Sequence, residues 1–234
     1  MNRATARIAR ALPVDKLQPA YPLWPAANGT FAPSPRRELL QMRKLKYHVN
    51  VSVDGFILSQ GEGFDAFPHG DESAQYLQSL HAYGIALMGR RTYEASQKTG
   101  IDDPYPHLMS YVFSRSSSVR TNPQVELVRD EATDWVRRMK ACPGKDLYLC
   151  GGADLAASLF KAGLIDEVIL KVNPLLKGAG RRLLSGLETE IALVHNSSAA
   201  YDDGVVMLTY RVQKNDVGQP IAGGIARVAT SMHS

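Results

Sequence analysis

The chain has only two cysteines, Cys142 and Cys150, in 234 residues. That excludes a disulfide framework of the kind that staples small secreted domains. Cys150 sits in an apolar run and reads as a buried thiol, and the pair points to a reducing, cytoplasmic setting. No apolar run approaches the roughly 18–20 residues that cross a bilayer, so no membrane partner is expected. None of the six histidines begins an H-x-E triplet, and P-C-x-x-C is absent. A nucleobase-deaminase zinc site is thereby excluded, and no metal is expected. The G-x-S-x-G elbow of a serine hydrolase is missing as well. A surplus of one charge is also missing from most of the chain. The net charge is +4, and residues 1–41 carry all of it, with six basic and two acidic side chains. The remainder is neutral, so no nucleic-acid surface is expected on it.

Residues 1–41 differ from the rest of the chain. They hold six of the thirteen prolines and little that could form a core, and are expected to be disordered. Arg3, Arg7 and Arg10 share one helical face, as in an organellar presequence, but a loose tail, or translation from upstream of the natural start, is the simpler reading. From residue 42 the pattern alternates. Strands are expected at 47–53, 84–88, 108–113, 125–128, 146–150 and 167–172. Helices are expected at 72–83, 92–97, from an Asp130 cap to 139, and 153–162. Segments 191–197 and 205–212 flank Asp202-Asp203-Gly204 and read as an antiparallel hairpin. Repeated strand–helix–strand units imply a mostly parallel sheet with helices on both faces. The domain is expected to span 42–213, with a flexible tail at 214–234, and a homodimer through the edge hairpin suits this layout.

Three segments are suited to anions. In Met88-Gly89-Arg90-Arg91-Thr92 a buried strand reaches a glycine, two arginines and a helix start. Helix N-termini present free N–H groups and a partial positive charge, and arginine adds a fork of donors. Leu149-Cys150-Gly151-Gly152-Ala153-Asp154-Leu155 repeats the strand–glycine–helix order and is half of a dinucleotide fingerprint. In Phe113-Ser114-Arg115-Ser116, hydroxyls and a guanidinium come after a strand, which suits a monophosphate ester. No acidic residue comes directly after that strand to hold a free ribose 2′-OH, which favours NADPH over NADH. Three such sites at three strand ends fit one extended, doubly phosphorylated ligand.

Together with Asn50-Val51-Ser52-Val53-Asp54-Gly55-Phe56-Ile57, these motifs resemble the dihydrofolate-reductase-like superfamily. They are most similar to the reductase domain of the riboflavin-biosynthesis deaminase-reductase group. The resemblance covers about residues 42–212. It implies a three-layer α/β fold and NADPH as cofactor. Asp54 to Ile57 would then close over the nicotinamide beside Val51 and Ser52, with Gly55 and Ile57 in contact. Gly89, Arg90, Arg91 and Thr92 would hold the pyrophosphate and part of the adenosine phosphate. Ser114, Arg115 and Ser116 would take the 2′-phosphate. Cys150 through Leu155, with Gly151, Gly152, Ala153 and Asp154 between, would line the pyrophosphate and nicotinamide-ribose side.

The substrate is expected to be a small heterocycle. Reduction would resemble that by 5-amino-6-(5-phosphoribosylamino)uracil reductase. A dihydrofolate reductase proper, or a nucleotide-binding module without catalysis, are the alternatives. The pterin-holding carboxylate of dihydrofolate reductases would fall at about Ser73, which argues against folate. Hydride transfer is cofactor chemistry, but it needs a proton donor. Asp54, Asp65 and Glu72 are the catalytic candidates, and Asp71 and Tyr76 the substrate-binding ones.

Overall fold

The computed structural model describes residues 42–58, 67, 72–115, 119 and 121–222. The apolar runs and helical stripes become ten strands and four helices among these residues. In chain order they are β1 (Leu45–Ser52), β2 (Phe56–Leu58), α1 (Glu72–Ser79), β3 (Tyr83–Gly89), α2 (Arg90–Lys98), β4 (Met109–Phe113), β5 (Val125–Val128), α3 (Ala132–Ala141), β6 (Asp146–Gly151), α4 (Ala153–Lys161), β7 (Glu167–Asn173), β8 (Arg181–Arg182), β9 (Leu193–Ala200) and β10 (Val206–Val212). A single 3-10 turn, Leu80–Ala82, joins α1 to β3 and shortens the helix expected to reach residue 83.

Eight strands form one sheet in the order β5-β4-β3-β6-β1-β7-β10-β9. The first six are parallel, and β10 and β9 add antiparallel at one end. This is the mostly parallel α/β sheet, with antiparallel strands at one edge, that the alternation implied. β2 and β8 form a separate two-stranded antiparallel sheet. Both faces of the large sheet are packed. One apolar layer gathers Leu45, Tyr47, Leu87, Trp135, Leu147, Leu149, Leu159 and Ile165 against α3 and α4. The other gathers Leu80, Tyr83, Met88, Tyr93, Val112 and Tyr148 toward α1 and α2. Successive residues of β1, Tyr47 and His48 for example, enter opposite layers because strand side chains alternate in direction.

Two expectations need correction. Asp130 does not cap α3: Glu131 holds that position without a side-chain hydrogen bond, and Asp130 pairs with Arg138 at 2.7 Å. The first part of the tail, 214–222, is held rather than loose. The Gln219 and Gly218 N–H groups donate to Asn215, closing a turn, and the Ala192 N–H donates to the Ile221 carbonyl. No helix among the described residues is long and apolar enough to cross a membrane.

The sheet opens where the site will be. β1 pairs with β6 only as far as Tyr47 opposite Leu149, but with β7 as far as Ser52 opposite Asn173. β6 meanwhile runs beside β3 to its end, at Met88 opposite Gly151. Beyond Leu149, therefore, β1 and β6 part, and a cleft forms between their carboxyl ends. Open α/β sheets bind ligands at such a divergence.

Candidate functional site

The cleft encloses about 1840 Å³. One wall comes from Val49 and Asn50 of β1 and from Ile57 and Leu58 of β2. The facing wall is Cys150 through Leu155, and Gly89 through Thr92, Ser114 and Arg115 continue it toward β4. Helix α2 starts at Arg90, directly on β3, rather than at Thr92 as its sequence suggested. Helix α4 starts directly on β6 in the same way. Their N-cap residues are Gly89 and Gly152, and neither end carries a side-chain cap. The first-turn N–H groups of both helices are thus left by side chains for a ligand.

The glycines serve close approach. Gly151 and Gly152 have φ of +155° and +99°, values that a Cβ disfavours. A Cβ on Gly152 would stand 3.5 Å from the Gly89 backbone, so the two helix starts are packed side by side. Thr92 lies as near, 3.6 Å from a Cβ on Gly151. An elongated anion passing here would meet two helix N-termini at once.

The arginines of α2 lie in its first turn. Arg90 donates to Glu94 at 2.9 Å, one helical turn on. Arg91 reaches Asp154 of α4 at 3.4 Å, across the cleft mouth and well exposed. Two guanidiniums expected to face a phosphate are therefore balanced by carboxylates. Lys98, Arg115, Arg181 and Arg182 also line the cleft. Ser114 is buried, and its N–H donates to the Val128 carbonyl at 3.1 Å, which fixes the strand end that carries Arg115.

Asp54 has a different role from the one expected. Its carboxylate accepts the Ser52 hydroxyl at 2.6 Å and the N–H groups of Lys177 and Gly178 at 3.1 and 2.7 Å. The Ser52 hydroxyl, and after it those amides, holds the carboxyl down at about 2. It is ionised at neutral pH, lies outside the cleft lining, and has no proton to give. Asp54 instead ties the β1–β2 turn to the segment after β7. Val51, Ser52 and Gly55 also fall outside the lining. Val51 and Ser52 are buried in the sheet, and the Ser52 hydroxyl accepts the Phe56 N–H. Gly55 makes the turn, at φ +85°. Ile57, Gly89 to Thr92, Ser114, Arg115, Cys150 to Leu155 and Tyr76 do line the cleft. Asp65, Asp71 and Ser116 lie outside the described residues, and Glu72 is the first residue of α1.

Some cleft residues have no role assigned by the sequence motifs. Asn50 lines the cleft, and its Oδ1 is buried with no hydrogen-bond partner. Buried polar atoms are nearly always paired, so this acceptor fits a ligand donor. Behind it on the same strand face, His48 is fully enclosed, with Nε2 also unpartnered. Burial, then Lys46 and Lys171, push its ring down to about 3, so it is neutral. Tyr105 and Tyr148 join Tyr76 in the lining. Burial pushes the Cys150 thiol up to about 12, so it is neither a thiolate nor a nucleophile.

Among the described residues no group of three or more His, Cys, Asp and Glu gathers as a metal site would. The donor set of uncapped helix starts, a glycine pair, Ser114 and Arg115 suits a dinucleotide, and Asn50 Oδ1 suits an amide N–H.

Comparison with known proteins agrees with this arrangement. The model of the RibD C-terminal domain matches residues 43–207. The Bacillus subtilis protein YyaP, itself uncharacterized, is 28% identical over 182 residues, 73% of this chain and 96% of its own. Two solved structures superpose. One is dihydrofolate reductase from Enterococcus faecalis complexed with NADP(H), at TM-score 0.56 and 13% identity, with 75% of this chain and 100% of that one covered. The other is a diaminohydroxyphosphoribosylaminopyrimidine deaminase/5-amino-6-(5-phosphoribosylamino)uracil reductase from Thermotoga maritima, at TM-score 0.55 and 12% identity. It shares 74% of this chain and 57% of its own length. At these identities the two structures establish the fold.

Proposed function

The chain belongs to the RibD C-terminal domain family, and on that premise we propose that it is an NADPH-dependent reductase of a small heterocycle, related to 5-amino-6-(5-phosphoribosylamino)uracil reductase. The observation that carries this reading is the pair of uncapped helix N-termini, α2 and α4, meeting through Gly89 and Gly152 at the head of one cleft.

In this reading Gly151, Gly152 and the first turn of α4 hold the pyrophosphate, with Thr92 alongside. Arg115 and Ser114 take the adenosine 2′-phosphate. Asn50 Oδ1 would accept an N–H from the nicotinamide carboxamide. When bound, the cofactor supplies a hydride. The protein's part is to fix the nicotinamide ring, keep water from it and present a flat substrate to one face. The apolar members of the cleft, Val49, Ile57, Leu58 and Phe113, suit that exclusion.

The test compares NADPH and NADH binding by cofactor fluorescence. NADPH is expected to bind at least about tenfold more tightly, the effect of one charge-assisted contact to the 2′-phosphate. Arg115→Ala is expected to abolish that preference and leave NADH binding as it was. Equal affinity for the two cofactors, unchanged by Arg115→Ala, sinks the assignment. Steady NADPH oxidation with a pyrimidine riboside or a pterin separates an enzyme from a binding module.

A further inference from the structure

One wall of the cleft is built from phenols. Tyr76 comes from α1, Tyr105 from the segment between α2 and β4, and Tyr148 from the middle of β6. Their rings pack with Leu80, Met88 and Val112. Their hydroxyls converge: Tyr76 Oη lies 2.7 Å from Tyr148 Oη, and Tyr105 Oη lies 3.2 Å from the same oxygen. The Tyr105 ring stands edge-on to Tyr148 at 5.1 Å. Tyr148 and Tyr105 are buried, at 1% and 5% exposure, whereas Tyr76 is half-buried. Packing alone does not call for this cluster. Phenylalanine fills the same space without three oxygens to satisfy.

A reduced C=N or C=O bond leaves an electron pair on nitrogen or oxygen, and that pair needs a proton. The carboxylates described in the cleft are engaged, Glu94 with Arg90 and Asp154 with Arg91. Asp54 is ionised and outside it. His48 is neutral and enclosed. The phenols keep their protons: burial pushes Tyr76 up to about 12 and raises Tyr105 and Tyr148. Of the three, Tyr76 alone keeps part of its ring exposed.

We propose, resting on the reductase reading above, that Tyr76 is the proton donor of the reaction, with Tyr148 and Tyr105 as positioning residues behind it. The substrate carbon takes the hydride of the reduced nicotinamide. Its π pair moves onto the nitrogen or oxygen, and that atom takes the Tyr76 proton. The phenolate left on Tyr76 accepts the Tyr148 hydroxyl across the 2.7 Å contact, and Tyr148 accepts that of Tyr105. Water at the cleft mouth then returns a proton to Tyr76. The directional chain of phenols stabilises the charge where it forms.

Tyr76→Phe keeps the ring and removes the proton. NADPH affinity, read by cofactor fluorescence, is expected to stay within about twofold of wild type, a change too small to signal a lost contact. With 5-amino-6-(5-phosphoribosylamino)uracil, kcat is expected to fall by about 100-fold, the usual worth of a general acid, with KM little changed. Tyr148→Phe is expected to cost about tenfold and to move the alkaline limb of the kcat profile, which lost packing alone leaves in place. Wild-type kcat in Tyr76→Phe overturns the proposal and leaves the reductase reading standing. Loss of NADPH affinity in Tyr76→Phe, in step with kcat, makes the hydroxyl structural and also overturns it. A wild type that binds NADPH but reduces no pyrimidine, pterin or carbonyl substrate overturns the reading and the proposal together.

Discussion

The two ends of the parallel strands are built on opposite principles. At the amino ends charge is plentiful and, apart from Arg43 Nε and Nη1, largely paired. Lys44 meets Glu167 at 2.8 Å, and Lys46 meets Asp146 at 3.0 Å and Glu167 at 3.3 Å. Asp166 binds Lys140 and, at 2.6 Å, Lys214, and it also accepts the Leu45 N–H at 2.8 Å. The start of β1 is thereby stitched to β6, β7, α3 and the segment after β10. At the carboxyl ends, glycines replace side chains, helix N-termini go uncapped, and Asn50 Oδ1 and His48 Nε2 have no partner. The amino end spends its carboxylates on its own cations, and the carboxyl end leaves two helix N-termini and Asn50 Oδ1 open. Such a division lets a rigid base support a site that is incomplete without a ligand.

The sharpest way to break the comparison is at Asp166. Asp166→Ala removes the carboxylate from Lys214 and from the Leu45 N–H, and leaves Lys140 with the Leu164 carbonyl alone. It is expected to cost about 3 kcal/mol of stability, within the range for removing one partner of a partly buried ionic network. The measure is the midpoint of urea unfolding. NADPH affinity below the midpoint is expected to be unchanged. A variant that loses cofactor binding while still fully folded would show that the two ends are not separable.

Gly152→Ala tests the other end. Alanine there must adopt φ near +99°, although its Cβ would meet Gly89 only at an ordinary 3.5 Å. The strain is expected to cost about 1–3 kcal/mol. Part of it should appear as weaker NADPH binding, by about tenfold, since the strained turn carries the α4 N-terminus. Calorimetry on the folded variant reads the binding part alone. Full NADPH affinity in Gly152→Ala would remove the glycine pair from the site.

These two ends were unequally legible in the sequence. The strand–glycine–helix order at Gly89 and at Gly151-Gly152 is local, so the cofactor side could be read from short motifs. Arg90 and Arg91 were read as phosphate donors. For Arg90 the i,i+4 spacing to Glu94 counts only once the helix begins at Arg90 rather than at the expected Thr92; for Arg91 the Asp154 contact spans 63 residues and leaves no local signal. Asp54 was misread for the same reason, since its partners, Lys177 and Gly178, lie more than 120 residues away. The small sheet of β2 and β8 has three and two residues, too few for any alternation to show. The phenol wall draws on segments 72 and 43 residues apart, and a tyrosine in an apolar run reads as core. Asn50 enters the cleft only because β1 and β6 part company after Leu149, a matter of sheet order.

The smallest expected effect lies at the junction of the two ends, on His48. Its ring is held neutral, titrating near 3 in the folded chain against about 6.5 unfolded. Between those values the unfolded chain binds a proton that the folded chain refuses, so stability must rise with pH across that window. Above about 6.5 neither state holds the proton and the contribution is flat. A single group gives a slope of no more than about 1.4 kcal/mol per pH unit. Urea unfolding of wild type and His48→Leu at pH 5 and pH 7 isolates it, because the Asp54 transition lies below that range. The wild type is expected to lose more stability on acidification than the variant. The Tyr83 hydroxyl, 3.3 Å from His48 Nδ1, loses its partner in the variant, which lowers stability equally at both pH values and so leaves the difference intact. Identical pH dependence in the two proteins would mean that the His48 ring is charged in the folded chain. It would then belong with the paired charges of the amino end rather than with the unclaimed groups of the cleft.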